Sequence, residues 1–270
     1  MLKPTRMIKK LLSLLVILLS LVNNTYASIS TSTCYGTDAA VMLHMDGSDA
    51  STTFTDSSDD ANSYTANGDA QIDTAQSKFG GAAGLGDGTG DFVSTGSGAE
   101  FNVGTGDFTL DYWMRQTSLG EHWIGVFESG TCSQFCLASL LTSPASPETI
   151  TLYTDGGSTT RNPDFVINTW YHIAITRSGT DLRLFVDGTQ VGATITNSAN
   201  MDDNAGFRAL GYDSLNFEIT GWMDEVRFVV GTAVWTGNFT PPTAAYTDCD
   251  AVVASDASGV GSVGSNPSIF

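Results

Sequence analysis

The chain has 270 residues and carries 29 Asp and Glu against 11 Lys and Arg, a net charge of −18. So acidic a chain repels phosphate backbones and anionic lipid headgroups, which argues against nucleic acid and membrane surfaces as partners. The length suits one large β domain, and no stretch sustains a helical period.

At the N-terminus Lys3, Arg6, Lys9 and Lys10 precede an apolar run from Leu11 to Val22 that only Ser13 and Ser20 interrupt, and Thr25-Tyr26-Ala27 places small residues where a signal peptidase reads. The pattern predicts a secretory signal peptide over residues 1–27; the run of 12 is too short for a membrane anchor, which needs about 18 apolar residues. Lipid attachment is not expected, because Cys34 follows Ser32-Thr33. Cleavage removes four basic residues and no acidic one, so −18 becomes −22 in the secreted chain, extracellular or periplasmic, and Lys78 is its one lysine. No membrane-spanning segment is expected to remain. Of the 29 acids 23 are aspartates, many in turn sequences such as Asp46-Gly47, Asp155-Gly156 and Asp202-Asp203-Asn204. They read as turn residues and solubilising charge first, and as cation ligands second.

Residues 28–37 are a Ser/Thr-rich lead-in, and Ala39-Ala-Val-Met-Leu-His-Met45 predicts the first strand. The polar stretch 46–70 reads as a long surface loop with at most a short strand. Strands follow at 91–95 and at 107–115, the second with Phe108, Leu110, Tyr112 and Met114 on one face. Others are expected near 122–128, 134–141, 149–154, 170–177, 181–187, 190–195, 206–211 and 217–230. Tyr171, Ile173 and Ile175 alternate with His172, Ala174 and Thr176, and Leu182, Leu184 and Val186 with Arg183, Phe185 and Asp187, the period of a sheet with one buried face. Asp187-Gly188 supplies the positive φ angles of a hairpin turn. Many short strands between Gly, Asp and Asn turns argue for a sandwich or barrel. The tail 251–270 is rich in Gly, Ser and Val without periodicity.

The wording from Asn168 to Gly188, with Gly221-Trp-Met-Asp-Glu-Val-Arg-Phe228, resembles the laminin-G-like, concanavalin A-like jelly-roll family. Further motifs arrive in the family's order. Leu43-His-Met-Asp-Gly47 looks like the opening strand, Ser77-Lys-Phe-Gly-Gly-Ala82 and Asp87-Gly-Thr-Gly-Asp-Phe92 like the next block, and Asp107-Phe-Thr-Leu-Asp-Tyr-Trp113 like the central strand. Trp170-Tyr-His172 and Met223-Asp-Glu-Val-Arg227 close the pattern. The resemblance implies an all-β, antiparallel two-sheet jelly-roll sandwich over residues 38–250 that usually binds sugars or other macromolecules and only sometimes catalyses. It also implies a calcium ion joining the end of the first strand to the last long strand, at positions matched by Asp46 and Asp224. The alternative is that Asp46 caps a turn and Asp224 pairs with Arg227 or a backbone donor.

Four cysteines meet an oxidising compartment and allow three pairings. Cys34 with Cys249 and Cys132 with Cys136 is preferred, because the first and last strands of such sandwiches commonly lie side by side and the second pair closes a short loop. No zinc-ligand spacing appears. A catalytic pair is not found either. Glu218-Ile-Thr-Gly-Trp-Met-Asp-Glu225 lacks the Glu-x-Asp-x-x-Glu spacing of retaining sandwich glycosidases, and adjacent Asp224 and Glu225 are expected on opposite faces of a strand. Asp155-Gly-Gly-Ser-Thr159 resembles a sialidase Asp-box, but Thr160 stands where the tryptophan belongs, so it is read as a hairpin turn. His172 is expected as a hydrogen-bonded sheet residue, and Trp113 and Trp222 as packing residues. Trp123, Tyr212 and Trp235, near Gly-rich loops, are the candidates to stack on a sugar, with ordinary burial as the alternative for each. The expectation is therefore a secreted, non-enzymatic, calcium-supported module for glycans or another extracellular macromolecule. A surface adhesion protein and a glycoside hydrolase are the alternatives.

Overall fold

The computed structural model describes residues 34–35, 39–118, 121–126, 135–140, 150–154, 157–161, 163–201, 206–211 and 218–248. The chain divides into two units, Met1–Ser30 and Thr31–Phe270, and the described residues belong to the second. The expected signal peptide, most of the lead-in, the tail, Cys132, Tyr212 and Cys249 lie outside the described residues, as do the side chains of Cys34, Trp123 and Cys136.

Among the described residues eighteen strands carry the fold: β1 (Cys34–Tyr35), β2 (Ala39–Leu43), β3 (Thr65–Asn67), β4 (Gln71–Asp73), β5 (Ala83–Asp87), β6 (Phe92–Ser94), β7 (Phe108–Gln116), β8 (Glu121–Val126), β9 (Phe135–Leu140), β10 (Ile150–Thr154), β11 (Gly157–Arg161), β12 (Tyr171–Ser178), β13 (Asp181–Val186), β14 (Thr189–Gln190), β15 (Ile195–Thr196), β16 (Phe207–Ala209), β17 (Thr220–Val230) and β18 (Thr247–Asp248). One sheet has seven strands in the order β11-β10-β9-β8-β16-β6-β3. The other has nine, β14-β13-β12-β7-β17-β5-β4, with β15 beside β13 and β2 beside β17. Every pair in these two sheets is antiparallel, as a jelly-roll sandwich requires. β1 and β18 pair in parallel with Cys34 opposite Thr247, so the two ends of the domain meet two residues before Cys249.

The core lies between the sheets and follows the period of two. Phe108, Leu110, Tyr112 and Met114 of β7, Ile173 and Ile175 of β12, Leu182 and Leu184 of β13 and Met223, Val226 and Phe228 of β17 enter it from the larger sheet. Val93, Ile124, Ile150, Leu152, Phe207 and Ala209 enter from the smaller. The end of this core is closed by Arg177, a buried cation that donates to the carbonyls of Gly104 (2.6 Å), Gly106 (2.8 Å) and Ala199 (2.9 Å) and to Asn197 Oδ1 (3.3 Å). The hairpin between β13 and β14 turns on Asp187 (φ 47°) and Gly188 (φ 73°), the left-handed pair of a two-residue turn. β10 and β11 pair antiparallel with Thr154 opposite Gly157, in keeping with the hairpin reading of this stretch.

Three elements differ from the sequence expectation. The strand expected at 190–195 is two short pieces, β14 and β15, separated at Gly192 (φ 74°), where the Arg161 side chain packs against the backbone. β4 and β5 lie where no strand is expected. Gly84 and Gly86 face the interior, and a Cβ on Gly86 would stand 2.7 Å from the Ile219 carbonyl, so this strand has no inward side chains to betray its period. The loop 46–70 is not a mere surface excursion: Phe54 is in the core, and buried Asp56 accepts from the backbone of Met42 (2.9 Å), Ser58 and Asn62, tying the loop to the first strand.

Candidate functional site

The outward side chains of the nine-stranded sheet form two unlike halves. Register places Thr109, Asp111, Trp113 and Arg115 of β7, His172 and Thr176 of β12, Trp222, Asp224 and Arg227 of β17, Leu85 of β5 and Gln71 and Asp73 of β4 on this face.

One half is sealed by the segment 231–246. Thr109 Oγ1 donates to the Thr232 carbonyl (3.0 Å) and accepts from the Val234 amide (2.9 Å), Thr176 Oγ1 donates to the Trp235 carbonyl (2.7 Å), and the Phe239 amide donates to Gly188 (2.9 Å). Beneath it Asp111, fully buried, accepts from Arg227 Nε (2.9 Å) and the Tyr246 hydroxyl and lies 3.3 Å from His172 Nε2. Burial alone would raise the Asp111 pKa, but Arg227, His172 and Tyr246 outweigh it and hold the carboxyl below its usual range. His172 is enclosed by the rings of Trp113, Trp235 and Phe239 at 5.1–5.7 Å and has no exposed surface. This Asp–His pair is a buried polar staple between sheet and strap. Trp235 is 6% exposed, stacked on Phe239 at 4.0 Å and 7° with the Arg227 guanidinium 5.3 Å from its ring, so its indole is given to packing.

Between the halves, β17 changes neighbours. Its residues Thr220–Met223 pair with β5 and Val226–Val229 with β2, and the register against β7 shifts between Asp224 and Arg227. Glu225 takes up the bulge with φ 50°. The bulge overturns the expectation that Asp224 and Glu225 point apart: Glu225 turns to His44 Nδ1 (2.8 Å) and the Tyr246 amide (2.8 Å), within electrostatic reach of Asp224. Asp224 accepts from the amides of Lys78 (2.6 Å) and Phe79 (3.1 Å), while Arg227 is paired with Asp111 instead. The Asp224 carboxyl is raised to about 8: burial is the largest cause, the two amides oppose it, and the Glu225 and Asp46 charges add to the rise. Asp46 is raised too, by burial and then by Glu225. His44 is raised despite its burial, because Glu225 both bonds and attracts it.

Two features of this joint suit a small cation. Asp224 Oδ1 is buried with no hydrogen-bond partner among the described residues, and the Asp46 carboxylate lies in a cradle left by Gly80, whose left-handed φ of 64° and lack of Cβ leave room for it. Among the described residues no group of three or more His, Cys, Asp or Glu is arranged to hold a metal. A cation here would need backbone carbonyls and water to complete its shell, which is the chemistry of calcium rather than zinc.

The other half of the face is open. Trp222 is half-buried, its indole Nε1 donates to Asp73 Oδ2 (2.8 Å), and the Arg115 guanidinium lies 5.2 Å from its ring. Gln71, Leu85, Trp222 and Arg115, all half-buried, form a row across four adjacent strands. Beside the row, Lys78 Nζ sits 3.7 Å over the ring of Trp113. Sequence reasoning missed this row: alternation alone sorts Trp113 and Arg115 onto the outward face of β7, but their alignment with Trp222 depends on long-range register.

An antiparallel sandwich of these two sheets is the architecture of a concanavalin A-like jelly roll. The chain belongs to the concanavalin A-like lectin/glucanases superfamily, whose family model matches residues 87–233. No curated protein sequence matches the chain. Among solved structures the fold is similar to the binding domain of Paraclostridial Mosquitocidal Protein 1 (TM-score 0.55, 13% identity, covering 73% of this chain and 49% of that one). It is also similar to domain 4 of AbnA, a GH43 extracellular arabinanase from Geobacillus stearothermophilus, in complex with arabinotriose (TM-score 0.54, 13%, covering 73% and 94%). The botulinum neurotoxin serotype D binding domain is a third (TM-score 0.52, 11%, covering 73% and 49%). The chain thus spans about half the length of the two toxin domains and nearly all of the arabinanase domain. At these identities the likeness is one of fold.

Proposed function

We propose that this chain is a secreted, non-catalytic module that binds a glycan on the open half of the nine-stranded sheet, with a calcium ion held by Asp46 and Asp224 at the neighbouring strand joint. The observation that carries the reading is Trp222: a half-buried indole fixed in orientation by Asp73 within a row of polar and apolar side chains, which offers a sugar ring a stacking plane and hydrogen-bond partners. The arabinanase domain, bound to arabinotriose on the same fold, supports a sugar as ligand. Asp111, Glu225 and His172, the buried groups that might have served as acid or base, are committed to Arg227, Tyr246, His44 and each other under the strap, which favours binding without turnover. Calcium would supply charge neutralisation and would lock the β2–β17–β5 joint beneath the face.

The test is retention on a panel of immobilised polysaccharides, with reducing-end release assayed in parallel. Trp222→Ala is expected to weaken retention about tenfold or more, with an unchanged melting temperature, and no reducing ends should appear. Wild-type retention by that variant would remove the face from consideration. Turnover lost on mutating an acidic residue would establish an enzyme, and capture of proteins but no glycan would favour the adhesion role.

A further inference from the structure

We infer that the open half of the face selects an acidic sugar, whose carboxylate or sulfate is held by Arg115 with Lys78 beside it. The inference rests on the glycan-binding reading above and names the ligand's chemistry.

Seven cations fall among the described residues. Arg177 and Arg227 are buried among carbonyls and against Asp111, Arg183 pairs with Asp181 (2.7 Å), Arg161 donates to the carbonyls of Thr160 and Ala193, and Arg208 lies over Phe92 on the smaller sheet. Arg115 and Lys78 remain, and neither charged head makes a hydrogen bond or an ion pair with a described residue. In a chain with 29 acids, two unpaired cations are unusual; these two share one sheet face, each against a tryptophan. Lys78 stands over Trp113 and Arg115 against Trp222, its cross-strand partner, and Trp113 and Arg115 lie roughly 7 Å apart along β7.

The geometry suits an anion. A guanidinium lying over an indole keeps its N–H fork in its own plane, free to grip a carboxylate or sulfate with two bonds while the aromatic plane takes the adjoining ring. Asp73 fixes that plane, so little order is lost on binding. Asp187 and Asp224 lie within electrostatic reach of Lys78, which makes Arg115 the anchor and Lys78 its support. The acidic remainder of the surface opposes a polyanion as dense as nucleic acid. It opposes isolated charges much less, because beyond about 8 Å that repulsion is screened at physiological salt.

The test is an array of neutral, uronate-bearing and sulfated glycans, supplemented by polygalacturonate and its fully methyl-esterified form. It is probed with wild type, Arg115→Gln, Lys78→Gln and Trp222→Ala, each checked for an unchanged melting temperature. Wild type is expected to prefer acidic glycans, Arg115→Gln to lose that preference by roughly tenfold or more, and Lys78→Gln to lose it less. Trp222→Ala should weaken neutral and acidic binding alike, and uronate and sulfate arms reveal which anion is preferred. Binding confined to neutral glycans, or an acidic preference untouched by Arg115→Gln, overturns this inference and leaves the glycan-binding reading standing. Binding to no glycan overturns both.

Discussion

Asp224→Asn should make the protein more stable at alkaline pH when calcium is absent. The folded-state carboxyl has a pKa of about 8 because it is buried beside Glu225 and Asp46, whereas in the unfolded chain it ionises near 4. Between those values the folded protein holds a proton that the unfolded chain releases. The stabilisation linked to that proton is complete below about pH 4 and declines as pH rises, at about 1.4 kcal/mol per pH unit, until it is lost near pH 8. The ceiling on the loss is about 5 kcal/mol, and relaxation of the joint reduces it, so a difference of about 2–4 kcal/mol between variant and wild type is expected at pH 8.5. Asparagine still offers the Lys78 and Phe79 amides an acceptor, and its own amide donor fills the place of the unpartnered Oδ1, near acidic neighbours. Urea denaturation of both proteins in EDTA from pH 4.5 to 8.5 reads the effect, with the gap between the curves opening as pH rises. Calcium at a hundred times its dissociation constant should then stabilise wild type by about 2.7 kcal/mol and leave the variant unmoved. A gap that does not change with pH, or a variant less stable than wild type at pH 8.5 in EDTA, refutes the account of Asp224. A calcium response that survives in the variant places the cation elsewhere.

Gly80→Ala should cost about 1–2 kcal/mol from its left-handed backbone and, by driving a Cβ into the Asp46 carboxylate, abolish the calcium-dependent rise in melting temperature. Arg177→Met should destabilise by about 3–5 kcal/mol, since it strands the carbonyls that the guanidinium gathers at the end of the core, and chemical denaturation will show it without loss of glycan specificity. Non-reducing peptide mapping is expected to recover Cys34 linked to Cys249, as the β1–β18 pairing favours, and the closed loop should stabilise by about 4–5 kcal/mol. Recovery of Cys34 with Cys132 or Cys136 would contradict that pairing.

What the sequence made legible was local. The β12–β13–β14 ribbon could be read because its alternation is unbroken and Asp187-Gly188 fixes the turn; the inward face of β7 was equally plain. β4 and β5 escaped because a strand that packs its backbone, rather than side chains, against the core has glycines where the pattern needs hydrophobes. The same limit hid the site. Asp46 and Asp224 were named through family resemblance, but Glu225 and His44 join them only because a bulge lets β17 exchange β5 for β2 as its neighbour, and nothing in Met223-Asp-Glu-Val-Arg227 announces a bulge. Nor does composition say which tryptophan is free. Trp235 sits in a Gly-rich loop and looks available, yet it is spent in sealing the sheet, whereas Trp222 sits in mid-strand and looks buried, yet the strap stops short of it. The strap thus divides the face: it buries Asp111 and His172, while Trp222 and Arg115 beyond it keep part of their surface.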